Sequence, residues 1–290
     1  MFTKNRIVPV IRFILSLILV VGAMGLQSVS PVIASTLTVT NTNDSGAGSL
    51  RQAITDAVPG DTINFDAALS GRVITLSSTL VINKNLTIDG SALSTHVSIS
   101  GNDEVRIFTI EPGVMVVLNG LIIRNGYSAG SYGGGIYNRG NLTVLNSTLL
   151  ENTAAGYGLG GGIFSLSGTL IVENSLFIRN TATEGGGLNN NNGNTGSLSN
   201  VTFFENTASI GGGVKNHGVL NLSNVTISHN IGSGGVGGLY NAGTLNYKNS
   251  IIANSLGQDC YTDDFGTIGV NTNNLVETPA ASPNGCGAPA

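Results

Sequence analysis

From residue 110 to residue 254, apolar and asparagine positions return at a nearly constant interval. Aliphatic residues stand at Ile136, Ile163, Leu188, Val214 and Leu239, in steps of 27, 25, 26 and 25. Ile110, 26 residues before Ile136, reads as the same position one unit earlier. The first four follow a glycine triplet (GGGIYN, GGGIFS, GGGLNN, GGGVKN), and the fifth lies in VGGLYN. Two residues beyond them come Asn138, Ser165, Asn190, Asn216 and Asn241. A second asparagine row is Asn119, Asn146, Asn174, Asn200, Asn224 and Asn249, and a third is Asn125, Asn152, Asn180, Asn206, Asn230 and Asn254. Three residues after each member of the second row an apolar side chain recurs: Ile122, Leu149, Phe177, Phe203, Ile227 and Ile252.

Ahead of the second row, Leu142 and Val144, Leu170 and Val172, Leu220 and Leu222, and Leu245 and Tyr247 alternate with other residues. A period of two predicts half-buried strands. Glycine and asparagine at the junctions tolerate the positive φ that sharp turns demand. Each unit therefore reads as three short strands, and a repeat of this length means stacked units that cannot bury their apolar faces alone. The predicted fold class is all-β: a parallel β-helix with three short strands per coil. Equivalent strands then stack at ~4.8 Å, and stacked asparagines hydrogen-bond along their rows. Inward rows would supply partners to turn backbone groups. A β-sandwich gives no reason for the asparagines to keep phase over more than 130 residues. Adding the less regular apolar segments from Val73 onward gives roughly eight coils over residues 67–256. Residues 35–66 read as an N-terminal cap, with a strand at Leu37–Thr40 and a short helix begun by Ser49. That helix places Leu50, Ala53 and Ile54 on one face and stops at Pro59-Gly60.

The ends and the composition narrow the setting. Lys4, Arg6 and Arg12 precede an apolar stretch from Phe13 to Leu26, with small residues at Val32 and Ala34. This reads as a secretory signal peptide over residues 1–34, cleaved after Ala34, and is too short for the ~20 residues of a membrane span. The mature chain is then secreted or held at the cell surface, with no membrane span of its own. Cys260 and Cys286 fall after the last repeat, in a C-terminal segment read as a loop over 257–290, and are expected to form a disulfide. Glycine (42) and asparagine (34) make up about a quarter of the 290 residues, while charged residues are only 10%. Globular proteins carry roughly 25% charged residues. The net charge of −4, without a basic stripe, argues against nucleic acid.

NDSGAGSLRQAI (43–54) followed by GDTINF resembles the start of secreted bacterial β-helix proteins with a CSLREA motif. The motif reads Gly48-Ser49-Leu50-Arg51-Gln52-Ala53 here, without its cysteine and glutamate. The repeats resemble those of the chlamydial polymorphic outer-membrane proteins, with GGG-aliphatic in place of GGA-aliphatic. FxxN persists at Phe177–Asn180 and Phe203–Asn206. NSIIANSLGQDC (249–260) is similar to the last coil of proteins ending in the choice-of-anchor Q segment. The resemblance implies a right-handed, pectate-lyase-like β-helix displayed on, or shed from, a bacterial surface.

Catalysis on such a fold needs a site of its own. Glycoside hydrolysis asks for paired carboxylates, and lyase chemistry for a calcium cluster with a base. Glu151, Glu173, Glu184 and Glu205 each stand alone in their turns, and His217 and His229 are solitary. Asp103, Glu104, Arg106 and Glu111, with Arg124 one coil on, form a looser group. Asp259, Asp263 and Asp264 flank Cys260 and are weak calcium candidates; no other cofactor is indicated. The glycine triplets are not phosphate loops, because strands rather than helices follow them. Tyr127, Tyr132, Tyr137 and Tyr157 cluster within two coils and are candidates for stacking on sugar rings. The expected function is a structural or adhesive surface module contacting glycans without catalysis. A polysaccharide lyase or hydrolase is the alternative, and a non-catalytic carbohydrate-binding rod a second. Phe203→Asp is expected to cost several kcal/mol in equilibrium unfolding by placing an unpaired charge in the core, whereas Glu205→Ala costs almost nothing.

Overall fold

The computed structural model describes residues 34–279 and 285–287. The signal peptide read over residues 1–34 lies outside them except for Ala34. The chain is an all-β parallel β-solenoid of about nine turns. Three ladders of parallel strands run its length. The first ladder stacks ten strands, from Thr36–Val39 through Asn141–Leu145 to Thr267–Thr272. The second runs from Val73–Thr75 to Leu275–Val276. The third starts at Leu80–Ile82, passes through Ile136–Asn138 and ends within Leu256–Thr262. A fourth, shorter ladder precedes the glycine turns, pairing Tyr127–Ala129 with Thr153–Ala155 and Thr207 with Ile231.

The repeat pattern undercounts this solenoid at both ends. Thr36–Val39 and Thr62–Phe65, placed in the cap, pair with each other as the first rungs. Beyond residue 256, where a loop was expected, Thr267–Thr272 and Leu275–Val276 pair with the preceding coil, the first across a register shift. These outer coils lack the glycine triplet that made the others legible. The cap proper is the helix Leu50–Asp56, whose N-cap Ser49 accepts from the Gln52 N–H at 3.1 Å. Leu50, Ala53 and Ile54 are buried. Lys84 Nζ donates to the carbonyls of Ile54, Thr55 and Ala57 at 3.1, 3.1 and 2.8 Å, which satisfies orphan acceptors at the helix C-terminus. Arg51 ties the cap to the first coils, donating to Asp44 Oδ1 at 2.6 Å and to the carbonyls of Ser78 and Thr79. At the other end the Cys260–Cys286 disulfide, with Cα atoms 5.6 Å apart, closes the core, and Tyr247 donates to the Cys286 carbonyl at 2.6 Å.

The interior is apolar apart from asparagine columns and a smaller number of buried serines and carboxylates. Asn152, Asn180, Asn206 and Asn230 have no exposed surface. The Asn180 Nδ2 donates to Asn206 Oδ1 on the next coil and to the Leu149 carbonyl on the previous one, both at 2.9 Å. Its own Oδ1 accepts from the backbone N–H and the Nδ2 of Asn152 at 3.0 and 2.9 Å. Asn206 repeats the arrangement with Asn230 and Phe177. Asn138, Asn190, Asn216 and Asn241 form a second buried column, in which Asn216 donates to Asn241 Oδ1 at 2.8 Å.

The other expected row faces outward. Asn146, Asn174, Asn200 and Asn224 bond along the column at 2.8–3.3 Å but sit in water, and they adopt φ of +48 to +56°. Their task is conformational, since asparagine tolerates this region better than most residues. The buried partners at that corner are Ser147, Ser175 and Ser250, whose hydroxyls accept backbone N–H groups from the preceding coil.

Two members of the third row are out of phase. Tyr127 pairs with Thr153, so Gly126 rather than Asn125 occupies the rung of Asn152. Ile231 pairs with Leu256, so Ser255 rather than Asn254 occupies the rung of Asn230. Asn125 and Asn254 instead take the positive-φ corner shared with Glu151, Arg179, Glu205 and His229. Likewise Phe108, not Ile110, underlies Ile136, and Ile123, not Ile122, underlies Leu149.

Asn180→Ala strips partners from two neighbouring coils, whereas Asn200→Gly removes only an exposed link. Urea unfolding is expected to show a loss of ~3 kcal/mol or more for the first and under ~1 kcal/mol for the second.

Candidate functional site

Glycines shape the most distinctive surface. In the triplet 185–187, Gly185 has φ +64°, and a Cβ there would lie 2.4 Å from the Leu188 carbonyl. A Cβ on Gly186 would meet the Gly212 carbonyl at 2.5 Å, and one on Gly187 would meet the Phe203 ring at 2.6 Å. Only glycine lets the chain fold this closely over its own next strand and against the adjacent coil. The turn preceding each third-ladder strand is thereby drawn along that strand's outer side.

Alternation then sends the residue after each anchor outward. Register stacks Thr109, Tyr137, Phe164, Asn189, Lys215, Tyr240 and Tyr261 in one lane. From Tyr137 to Tyr261 this lane is ~24 Å long at the usual strand spacing. A lane before the glycines carries Tyr132, Leu159, Glu184 and Ile210; one after the strand carries Arg139, His217 and Asp263. Together the lanes make a trough-like strip with aromatic ends and a polar centre, whose floor residues Phe164, Asn189 and Lys215 are nearly covered.

At one end Tyr132 stacks on Phe164 with centroids 4.5 Å apart, and Tyr137 lies 5.8 Å from each. Arg106 sits 5.3 Å from the Tyr137 ring and donates to the carbonyls of Tyr132 and Gly133 at 3.0 and 2.9 Å. Arg139 lies 5.9 Å from the same ring and pairs with Glu111 at 3.3 Å. At the other end Tyr240 and Tyr261 stack at 5.3 Å. Tyr240 donates to Asp263 Oδ2 at 3.0 Å, and burial first, then this carboxylate, pushes its pKa up to about 12. Between the ends, Lys215 is nearly covered and pairs with Glu184 at 2.6 Å, with its Nζ 5.3 Å from the Tyr240 ring. Burial and then Lys215 pull the His217 pKa below its ordinary value, against Glu184 and Asp263.

Of the four tyrosines singled out in the sequence, the fold brings Tyr132 and Tyr137 together. Tyr127 lies on the fourth ladder, and Tyr157 is 90% exposed at a loop tip. Phe164, Asn189, Lys215, Tyr240 and Tyr261 were overlooked. For the first four the signal was the residue that follows each anchor (Y, F, N, K and Y from Tyr137 to Tyr240), legible only once outward stacking is drawn; Tyr261, after Cys260, had none.

The acidic groups do not gather. Asp259 is fully buried; its Oδ1 accepts from the Ser255 N–H at 2.8 Å and its Oδ2 from the Thr278 N–H at 2.9 Å. Asp263 accepts from Tyr240 and from the N–H groups of Phe265 and Gly266. Both carboxylates serve as backbone clamps in this segment. Among the described residues no three His, Cys, Asp or Glu side chains lie close enough to hold a metal. Glu151, Arg179 and Glu205 form an exposed ladder, with Arg179 at 2.8 Å from Glu151 and 3.7 Å from Glu205. Asp103 contacts Asn125, Glu111 contacts Arg139, and Arg124 turns to Asn125. On the outer face of the first ladder, a largely apolar hollow of about 480 Å³ is lined by Ile171, Leu198, Leu222 and Val270, with one acid, Glu173, and one base, Lys248, among amides and hydroxyls.

No family model matches the chain, and no curated protein matches it in sequence. Because the folded state disfavours charged His217, the unfolded chain binds more protons there. Its contribution is therefore complete above about pH 6.5 and lost as pH falls. The difference in Tm between wild type and His217→Gln is expected to shift in the variant's favour on going from pH 7 to pH 5.

Proposed function

We propose that this chain is an exported surface protein, a structural and adhesive β-helix module that contacts glycans through the trough without turning them over. The carrying observation is the outward lane with aromatic rings at both ends and amide, ammonium and carboxylate groups between. Flat rings offer apolar faces with polar rims, and in-register stacking repeats them at even spacing. A lane of this kind suits an extended chain of repeating units engaged at several weak points at once. The dispersal of the acids into ion pairs and backbone clamps supports a binding role over hydrolysis or elimination.

Export and surface display rest on the basic-then-apolar start and on the paired cysteines, a feature of oxidising compartments. The rigid solenoid and its low charge suit a spacer that stands among other polymers.

Binding should be measured by calorimetry against cellohexaose, chitohexaose and polygalacturonate, with product assays run in parallel. Tyr132→Ala and Tyr240→Ala each remove a stacked ring worth ~1 kcal/mol, so Kd for the bound glycan is expected to rise about fivefold in each. Release of new reducing ends or unsaturated products would overturn the non-catalytic reading. Affinities unmoved by both variants would remove the trough from it.

A further inference from the structure

At the centre of the trough one side chain lacks what the other buried asparagines among the described residues have, a partner for at least one polar atom. Asn189 is 1% exposed, and both its Oδ1 and its Nδ2 are buried without a hydrogen-bond partner. Its neighbours in sequence, Leu188 and Asn190, point into the core, where Asn190 donates to Asn216 Oδ1 at 2.8 Å. Asn189 therefore points outward, between Phe164 and Lys215 in the lane. Leaving a buried amide unpaired is costly, and native proteins keep few such groups. Nothing in the fold requires an amide here, since the equivalent rungs hold tyrosine, phenylalanine and lysine.

We infer that Asn189 is the polar anchor of a glycan subsite, receiving a hydroxyl of an uncharged sugar unit that lies against the exposed Tyr132 ring. The inference rests on the glycan reading of the trough. A hydroxyl both donates and accepts, so adjacent sugar hydroxyls match an amide that offers one acceptor and one donor group. The charges beside the amide balance, because Glu184 and Lys215 pair at 2.6 Å, while Arg106 at the ring end spends its donors on the Tyr132 and Gly133 carbonyls and the Ser131 and Thr109 hydroxyls. An anionic sugar would place an uncompensated charge among them, whereas a neutral one satisfies the amide at no such cost. That ion pair reaches from the coil of Asn189 to the next coil, alongside the amide. Its two long side chains are the movable parts that admit the ligand.

The test compares Asn189→Leu with wild type in two measurements. Leucine keeps the volume but removes the unpaired amide, so Tm is expected to rise by a few degrees. Binding to cellohexaose or chitohexaose is expected to weaken at least tenfold, as for other lost buried hydrogen bonds. Asn189→Gln, which keeps the amide, should retain more of the affinity than leucine does. A lowered Tm with unchanged binding would make Asn189 a structural residue and overturn the inference. Preference for polygalacturonate over both neutral probes would overturn the choice of ligand class. If wild type binds none of the three, the glycan reading itself falls; if it binds, Tyr132→Ala weakens it and Asn189→Leu does not, only the subsite falls.

Discussion

Vertical register governs this protein: every coil must place its polar backbone groups where the neighbouring coil can meet them. The buried asparagines enforce it. Asn180 donates to one coil above and one below while its oxygen accepts two N–H groups, so a slipped coil would leave four bonds unmade. Serines do the same at the adjoining corner with a shorter reach. Unpaired polar groups in a core are costly enough that these columns, together with the apolar rows, define a single stacking arrangement.

Stacking also accounts for the unusual composition. When each position meets its equivalent at ~4.8 Å, a repeated charge repels itself along the whole column. Charges therefore appear where signs alternate, as in Glu151, Arg179 and Glu205, or where a flanking lane supplies the partner, as Glu184 does for Lys215. Elsewhere neutral amides and hydroxyls take the surface. The 10% charged content is a consequence of the architecture.

The same rule builds the trough. Close folding of the glycine turns brings one lane alongside the outward face of the third ladder, and register aligns rings from different coils. Aromatic ends pack and satisfy themselves: Tyr132 on Phe164, Tyr240 on Tyr261 and against Asp263. The centre does not, because Asn189 has rings on one side and an already paired lysine on the other.

Period, strand alternation and the glycine triplets were enough to establish a parallel solenoid, its core rows and the helix capped by Ser49, because those features repeat or act locally. Phase was less secure where the spacing changed: Ile110, Asn125 and Asn254 fit an average repeat of 26, but backbone pairing moves each off its row by one or two places. Which asparagine columns face inward could not be read from spacing either, since the exposed Asn146 row and the buried Asn152 row recur alike. Only the stacked coils decided those questions. Whether a side chain is buried, paired or left with an open hydrogen bond depends on neighbours some 25 residues away along the chain, and three-dimensional register alone brings them together.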